Sequence, residues 1–170
     1  MNKNRSFEDL FNHFKLKNIK LNPFWVQAFV DAEGTFGVLI TKSKITDKIV
    51  IRNRLSISQS THDHSILKAI KEFFNAGYVH PRPKDIDSLE KAKQCKDSSF
   101  YYNSSPETFI PFFNKYPMYT RKFLDFQDFK KCYYLKKEKH YLKDKGLEEL
   151  YFIAFNMNSG RGDLNKTRRK

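Results

Sequence analysis

Residues 25–36 run Trp25-Val26-Gln27-Ala28-Phe29-Val30-Asp31-Ala32-Glu33-Gly34-Thr35-Phe36, and the reading of the fold turns on them. The stretch follows Pro23 and is apolar or small as far as Val30, so it predicts a helix from Phe24 to about Ala32, stopped at Gly34. The small Ala28 leaves a place on its surface where a second helix can approach closely. Two carboxylates, Asp31 and Glu33, fall at the C-terminal end, where the negative pole of the helix dipole disfavours them. A cation held there offsets that cost. An ordinary core helix with a solvated Asp-Ala-Glu-Gly end accounts for the same residues.

From Gly34 the period switches to two. Phe36, Val38 and Ile40 alternate with Thr35, Gly37, Thr41 and Ser43, which predicts a half-buried strand. A polar turn near Thr46 to Lys48 leads to a second alternating run. There Ile51, Leu55 and Ile57 face one way, and Arg52, Arg54, Ser56 and Ser58 the other. Next, Ile66, Leu67, Ile70, Phe73 and Phe74 mark an amphipathic helix, capped by Thr61 or Asp63 and ended by Gly77. Residues from Tyr78 to about Lys84, and Phe100 to Asn103, read as a second hairpin around the charged connection from Asp85 to Asp97. In the last strand either Tyr101 and Asn103 or Phe100 and Tyr102 face outward. Three helices follow, at Phe109 to Asn114, Arg121 to about His140 and Leu147 to about Met157. No repeat is evident. The order is that of an α+β domain with a four-stranded antiparallel sheet.

The chain has 170 residues, long enough for a real core. Its 17 Phe and 9 Tyr argue against a disordered basic tail. Lys and Arg exceed Asp and Glu by 32 to 19, a net charge of +13 that favours a polyanionic partner. A membrane surface is one such polyanion, but no apolar run approaches the roughly 20 residues of a spanning helix. Cys95 and Cys132 form no CxxC pair and are read as free thiols in a reducing compartment. Near the start, Phe7, Leu10, Phe11 and Phe14 lie at helical spacing between Lys3, Arg5, Lys15 and Lys17. Glu8 and Asp9 speak against a transit peptide, so this segment reads as a docking helix. The expected layout is an N-terminal arm over 1–22, a domain over 23–160 and a basic tail over 161–170.

The stretch 25–36 resembles the LAGLIDADG motif of homing endonucleases, in the form that ends in Glu and has an aromatic residue before the helix. Further blocks resemble the family in order: Leu55-Ser56-Ile57-Ser58-Gln59, Gly77-Tyr78-Val79, Phe112 through Lys122, Gly146-Leu147 and Met157-Asn158. The resemblance covers roughly residues 22 to 162. It implies an αββαββα fold with a curved four-stranded sheet that binds DNA. It also implies that two motif helices pack at a twofold, as in a homodimer, here through Val26, Ala28, Phe29, Val30 and Asp31. By the same match Glu33 holds a divalent metal with the Ala32 carbonyl, Gln59 orients water, and Lys122 lies near the scissile phosphate. Mg²⁺ is the implied ion, with Mn²⁺ able to substitute and Ca²⁺ supporting binding without efficient cutting. The sequence departs from the family after Gln59, where His62, Asp63 and His64 stand in place of a further basic residue. The two histidines read as surface or capping residues rather than zinc ligands.

A sheet lying in the major groove meets base edges with a discriminating donor and acceptor pattern. The candidate readers are Leu39, Thr41, Ser43, Arg52, Arg54, Ser56, Ser58, His80 and Arg82. The resemblance therefore implies Mg²⁺-dependent double-strand cleavage of a long, partly palindromic DNA site, leaving four-nucleotide 3′ extensions. An RNA maturase assisting a group I intron is the alternative on the same fold. The richness in Lys, Asn, Phe and Tyr fits an AT-rich genome, and the family's frequency in organelles points to a mitochondrial intron.

Overall fold

The computed structural model describes residues 20–80, 98–143 and 145–158. The N-terminal arm up to residue 19, Arg82, the connection from Asp85, Cys95 and the tail beyond 158 lie outside the described residues, as does the His62 side chain.

Helix α1 spans Pro23–Glu33. Asn22 starts it, its side-chain oxygen accepting from the Phe24 amide at 2.8 Å, and Pro23 occupies a position where a missing N–H costs nothing. The helix ends without a loop. Gly34 is already extended and opens strand β1, Gly34–Lys42. A Cβ at Gly34 would stand 2.6 Å from Val30 Cγ1 and 2.7 Å from the Val30 carbonyl oxygen. The strand passes so close to the last helical turn that only glycine fits there.

Strand β2 (Ile49–Ser60) follows a tight turn, then a 3₁₀ turn (Thr61–Asp63), α2 (His64–Phe74), β3 (Tyr78–His80) and β4 (Ser98–Asn103). Helices α3 (Pro106–Lys115), α4 (Lys122–Lys137) and α5 (Gly146–Phe155) complete the described chain. The αββαββα order is as expected, with α4 and α5 added. The sheet is antiparallel in the order β1-β2-β4-β3. The two hairpins therefore join through β2 and β4, with Leu55 opposite Asn103 and Gln59 opposite Ser99.

The helices cover one face of this sheet. Phe36 of β1 is fully buried among Phe109 and Phe113 of α3 and Phe126 and Phe129 of α4, with ring centroids 5.2 to 6.2 Å away. Truncating such a side chain costs about 3–5 kcal/mol. Tyr101 is buried on the same face, its hydroxyl donating to the Ala76 carbonyl at 3.0 Å. A smaller cluster joins Ile51, Cys132, Leu150 and Ile153. Burial pushes the Cys132 thiol up to about 12, so it packs as a small hydrophobe.

Some local expectations change. Helix α2 ends at Phe74 because Asn75 turns left-handed, at φ 47°, two residues before Gly77. Asp63 stands at the N-cap position, but its side chain makes no capping bond. The inward row of β2 also contains Asn53, which the alternation of Ile51, Leu55 and Ile57 passed over. It is 3% exposed, and neither polar atom of its amide has a partner among the described residues.

Candidate active site

The C-terminal end of α1 meets the start of α4. Glu33, the last helical residue, is exposed, as is Ala32. Lys122, the first residue of α4, donates from Nζ to the Ala32 carbonyl at 3.0 Å and to the Val30 carbonyl at 3.3 Å. Burial lowers the Lys122 pKa, and the charges of Asp31, Glu33 and Asp125 oppose that shift. An ammonium thus stands against the negative pole of α1, at the helix end that also carries the exposed Glu33.

Asp31 is buried and engaged within its own subunit. Its Oδ2 accepts from the Tyr119 amide at 2.8 Å and the Thr120 amide at 3.2 Å, and its Oδ1 accepts from the Thr120 hydroxyl. These bonds fix the segment immediately before Lys122. Tyr119 and Thr120 were not legible as partners of Asp31, since nothing in the sequence pairs positions 88 and 89 residues apart.

Gln59 lies half-buried near the end of β2. Gly34, next to Glu33, pairs with Ile57, so Gln59 stands two residues beyond, at the same end of the sheet. Its neighbour on β4, Ser99, contacts His64 Nδ1 at 3.2 Å. His64 is not the surface or capping residue expected. It is 3% exposed, its Nε2 has no partner, and burial followed by the charge of Lys68 lowers its pKa to about 4. It stands neutral beneath the strands and does not replace the missing basic group.

The uncovered sheet face carries the expected readers. Leu39 is opposite Arg52, and Gly37 opposite Arg54. Thr41, Ser56, Ser58 and His80 share this face by the strand alternation. Ser43 stands just past β1, where its hydroxyl accepts from the Ile45 and Thr46 amides at 3.3 and 3.2 Å. The open question about β4 is resolved by burial: Ser99, Tyr101 and Asn103 point inward, while Phe100 and Tyr102 point outward. Phe100 and Tyr102 are thus the pair, of the two left open, that shares the uncovered face, and Tyr78 beside them was not singled out.

Helix α1 presents a narrower free face than expected. Val26 and Val30 are fully buried in the subunit's own core and are unavailable to a second helix. The free face is formed by Trp25, Ala28, the half-buried Phe29 and Ala32. Trp25 and Phe29 stack at 4.8 Å. The physical reason is the 3.6-residue period: positions 26 and 30 share the stripe facing the sheet, while 25, 28, 29 and 32 share another.

No group of three or more His, Cys, Asp or Glu suited to a metal occurs among the described residues. One carboxylate and one carbonyl at a helix end make half a site. Their all-oxygen character fits a hard cation, completed by a second helix end, phosphate and water. The Ala32 carbonyl is taken by Lys122, so its use as a ligand requires the ammonium to move away.

The chain belongs to the LAGLIDADG endonuclease family, whose model matches residues 28–133. Two relatives from Neurospora crassa are described as probable intron-encoded endonucleases. One is 30% identical over 126 residues, covering 74% of this chain and 25% of the relative, and the other is 29% identical over 139 residues, covering 80% and 24%. The chain therefore spans about a quarter of these relatives' length. Among solved structures, the homing endonuclease I-TnaI is 26% identical with a TM-score of 0.70, over 82% of this chain and 90% of that one. The LAGLIDADG meganuclease I-CpaMI, bound to uncleaved DNA, is 29% identical with a TM-score of 0.68, over 82% and 46%. None of those named is described as a maturase, and the RNA alternative gains nothing from them. No described helix is long and apolar enough to cross a membrane.

Proposed function

We propose that this chain is a site-specific DNA homing endonuclease unit that makes a metal-dependent double-strand break. The observation that carries the reading is the bond from Lys122 to the Ala32 carbonyl, one residue before the exposed Glu33, at the end of a sheet whose open face bears Arg52 and Arg54. A second unit completes the site through the Trp25, Ala28, Phe29 and Ala32 face, most simply as a homodimer.

Glu33 and the Ala32 carbonyl would hold the divalent ion, Mg²⁺ by its oxygen donors. Held there, it would supply a water of lowered pKa and would neutralise charge on the phosphate. Gln59 orients the attacking water through its amide. Lys122 turns its ammonium from the two helix carbonyls to a phosphate oxygen, where it stabilises developing charge. The open sheet face positions the duplex. The names of the relatives support an intron-encoded origin, and a mitochondrial or other organellar setting is part of the proposal.

The test is selection of cleaved sites from a randomised duplex library with Mg²⁺. Recovery of a site of about 20 base pairs, cut with short 3′ extensions and requiring two units, is the expected result. That length follows from two strands of about ten residues end to end at about 3.3 Å each. Failure to cut any library member, with tight binding to intron RNA instead, rejects the nuclease reading.

A further inference from the structure

The open sheet face contains a depression of about 270 Å³ bounded by Gly37, Leu39, Arg52, Arg54 and Tyr78. It is bare at Gly37. A Cβ there would meet nothing closer than the Arg54 carbonyl oxygen, at 3.8 Å. Packing therefore does not demand glycine, and the missing side chain leaves a notch in a row of filled positions. Leu39, two residues on, is 53% exposed.

Arg54 stands opposite Gly37 across the β1–β2 pair. Its guanidinium carbon lies 4.5 Å above the Tyr102 ring centroid. Tyr102 in turn packs 5.4 Å from Tyr78 and 5.8 Å from Phe100, the latter ring parallel within 3°. One ring thus supports the guanidinium and two others brace that ring, while Arg52 on the same face has no ring contact among the described residues. Holding a guanidinium by its flat face fixes its plane and leaves its in-plane donors free. Among the described residues no carboxylate pairs with Arg54.

A planar pair of donors matches one major-groove edge best: guanine, with its O6 and N7 acceptors. The apolar group in that groove is the thymine 5-methyl. We propose that Arg54 reads a guanine in each half-site, and that the Gly37–Leu39 notch takes the methyl group of a neighbouring thymine. The inference rests on the proposed cleavage of duplex DNA and adds the bases that one part of the sheet selects. Arg54 and Gly37 then act as specificity residues away from the cutting centre, since Gly37 lies three positions along β1 from the Gly34 that follows Glu33.

The experiment is the library selection above, run on the full chain as wild type, Arg54→Lys, Tyr102→Leu, Gly37→Ala and Gly37→Val. The wild type should select a guanine beside a thymine at one position of each half-site. Arg54→Lys should lose that guanine preference by about tenfold, with other positions unchanged. Tyr102→Leu should weaken the same preference without shifting the others. Replacing the selected thymine by deoxyuridine removes only the methyl group. It should weaken wild-type binding several-fold and leave Gly37→Val indifferent; Gly37→Ala, whose methyl meets no close atom, serves if the valine variant does not fold. A defined site whose base preferences are untouched by Arg54→Lys, with affinity lowered equally for all sequences, overturns the proposal and makes Arg54 a phosphate contact. Wild-type response to deoxyuridine that persists in both glycine variants overturns the notch. Absence of any cleaved site in every library instead rejects the nuclease reading itself.

Discussion

Lys122 Nζ donates to the Ala32 carbonyl at 3.0 Å across a sequence separation of 90 residues, setting the first ammonium of α4 against the last turn of α1. Glu33 is the next residue after that carbonyl, so a carboxylate and an ammonium share one helix end.

Glu33→Gln should keep DNA affinity and lower the cleavage rate by at least about 100-fold, in line with loss of a key charge-stabilising group. Affinity comes largely from phosphate contacts elsewhere. Ca²⁺ should support binding by the wild type without efficient cutting. Gel-shift and single-turnover cleavage on a selected site separate the two effects; a variant that cuts at the normal rate removes Glu33 from the site.

Lys122→Met should lose cleavage by about 100-fold while its thermal midpoint stays level or rises. The lysine binds its proton less tightly in the folded chain than in the unfolded one. Its charge therefore costs stability below the folded pKa, a cost relieved as pH rises toward the unfolded value. Wild-type cleavage should fall at alkaline pH as this amine deprotonates, and Lys122→Arg should move that limb upward. A lower midpoint together with an unchanged alkaline limb contradicts the assignment.

His64 supplies an acid-sensitive element. Its pKa falls from 6.5 to about 4 on folding, so its contribution is fully present above about pH 6.5 and is lost as pH drops toward 4. The shift corresponds to about 3 kcal/mol over that window. Denaturant titrations at stepped pH should show His64→Leu with a flatter profile there than the wild type. Parallel profiles remove His64 as the source.

Asn53→Val should stabilise the fold. An amide with both polar atoms buried and unpaired costs about 1–3 kcal/mol, and valine suits a strand facing an apolar layer. A gain of about 1 kcal/mol raises the midpoint by about 2–4 °C for a domain of this size. A clear drop in midpoint means the amide has a bound partner, such as an internal water.

The strands were legible because a two-residue period imposes one face on every other side chain. Phe36, Leu55 and Ile57 turn inward and Arg52 and Arg54 outward as the alternation requires. The motif helix was less transparent. Its residues are apolar on two stripes, and the sequence does not say which stripe the sheet claims, so Val26 and Val30 were placed on the wrong one. Asn53 escaped because a polar residue inside an apolar row reads as an interruption. His64 escaped because its partner, Ser99, is 35 residues away. The rings under Arg54 had a faint signal in the alternation of Phe100 and Tyr102, but only pairing with β2 settles the outward face.

Asp31 fastens the end of α1 to the two residues that precede Lys122. The backbone that carries Glu33 and the backbone that carries Lys122 are therefore tied together within one chain. In the proposed two-unit enzyme, the angle and spacing between two such halves are what binding has to settle. Assembly of that enzyme is then a docking problem in which the Lys122 ammonium has still to swing away from its two helix carbonyls, and a partner with an imperfect helix face silences both halves.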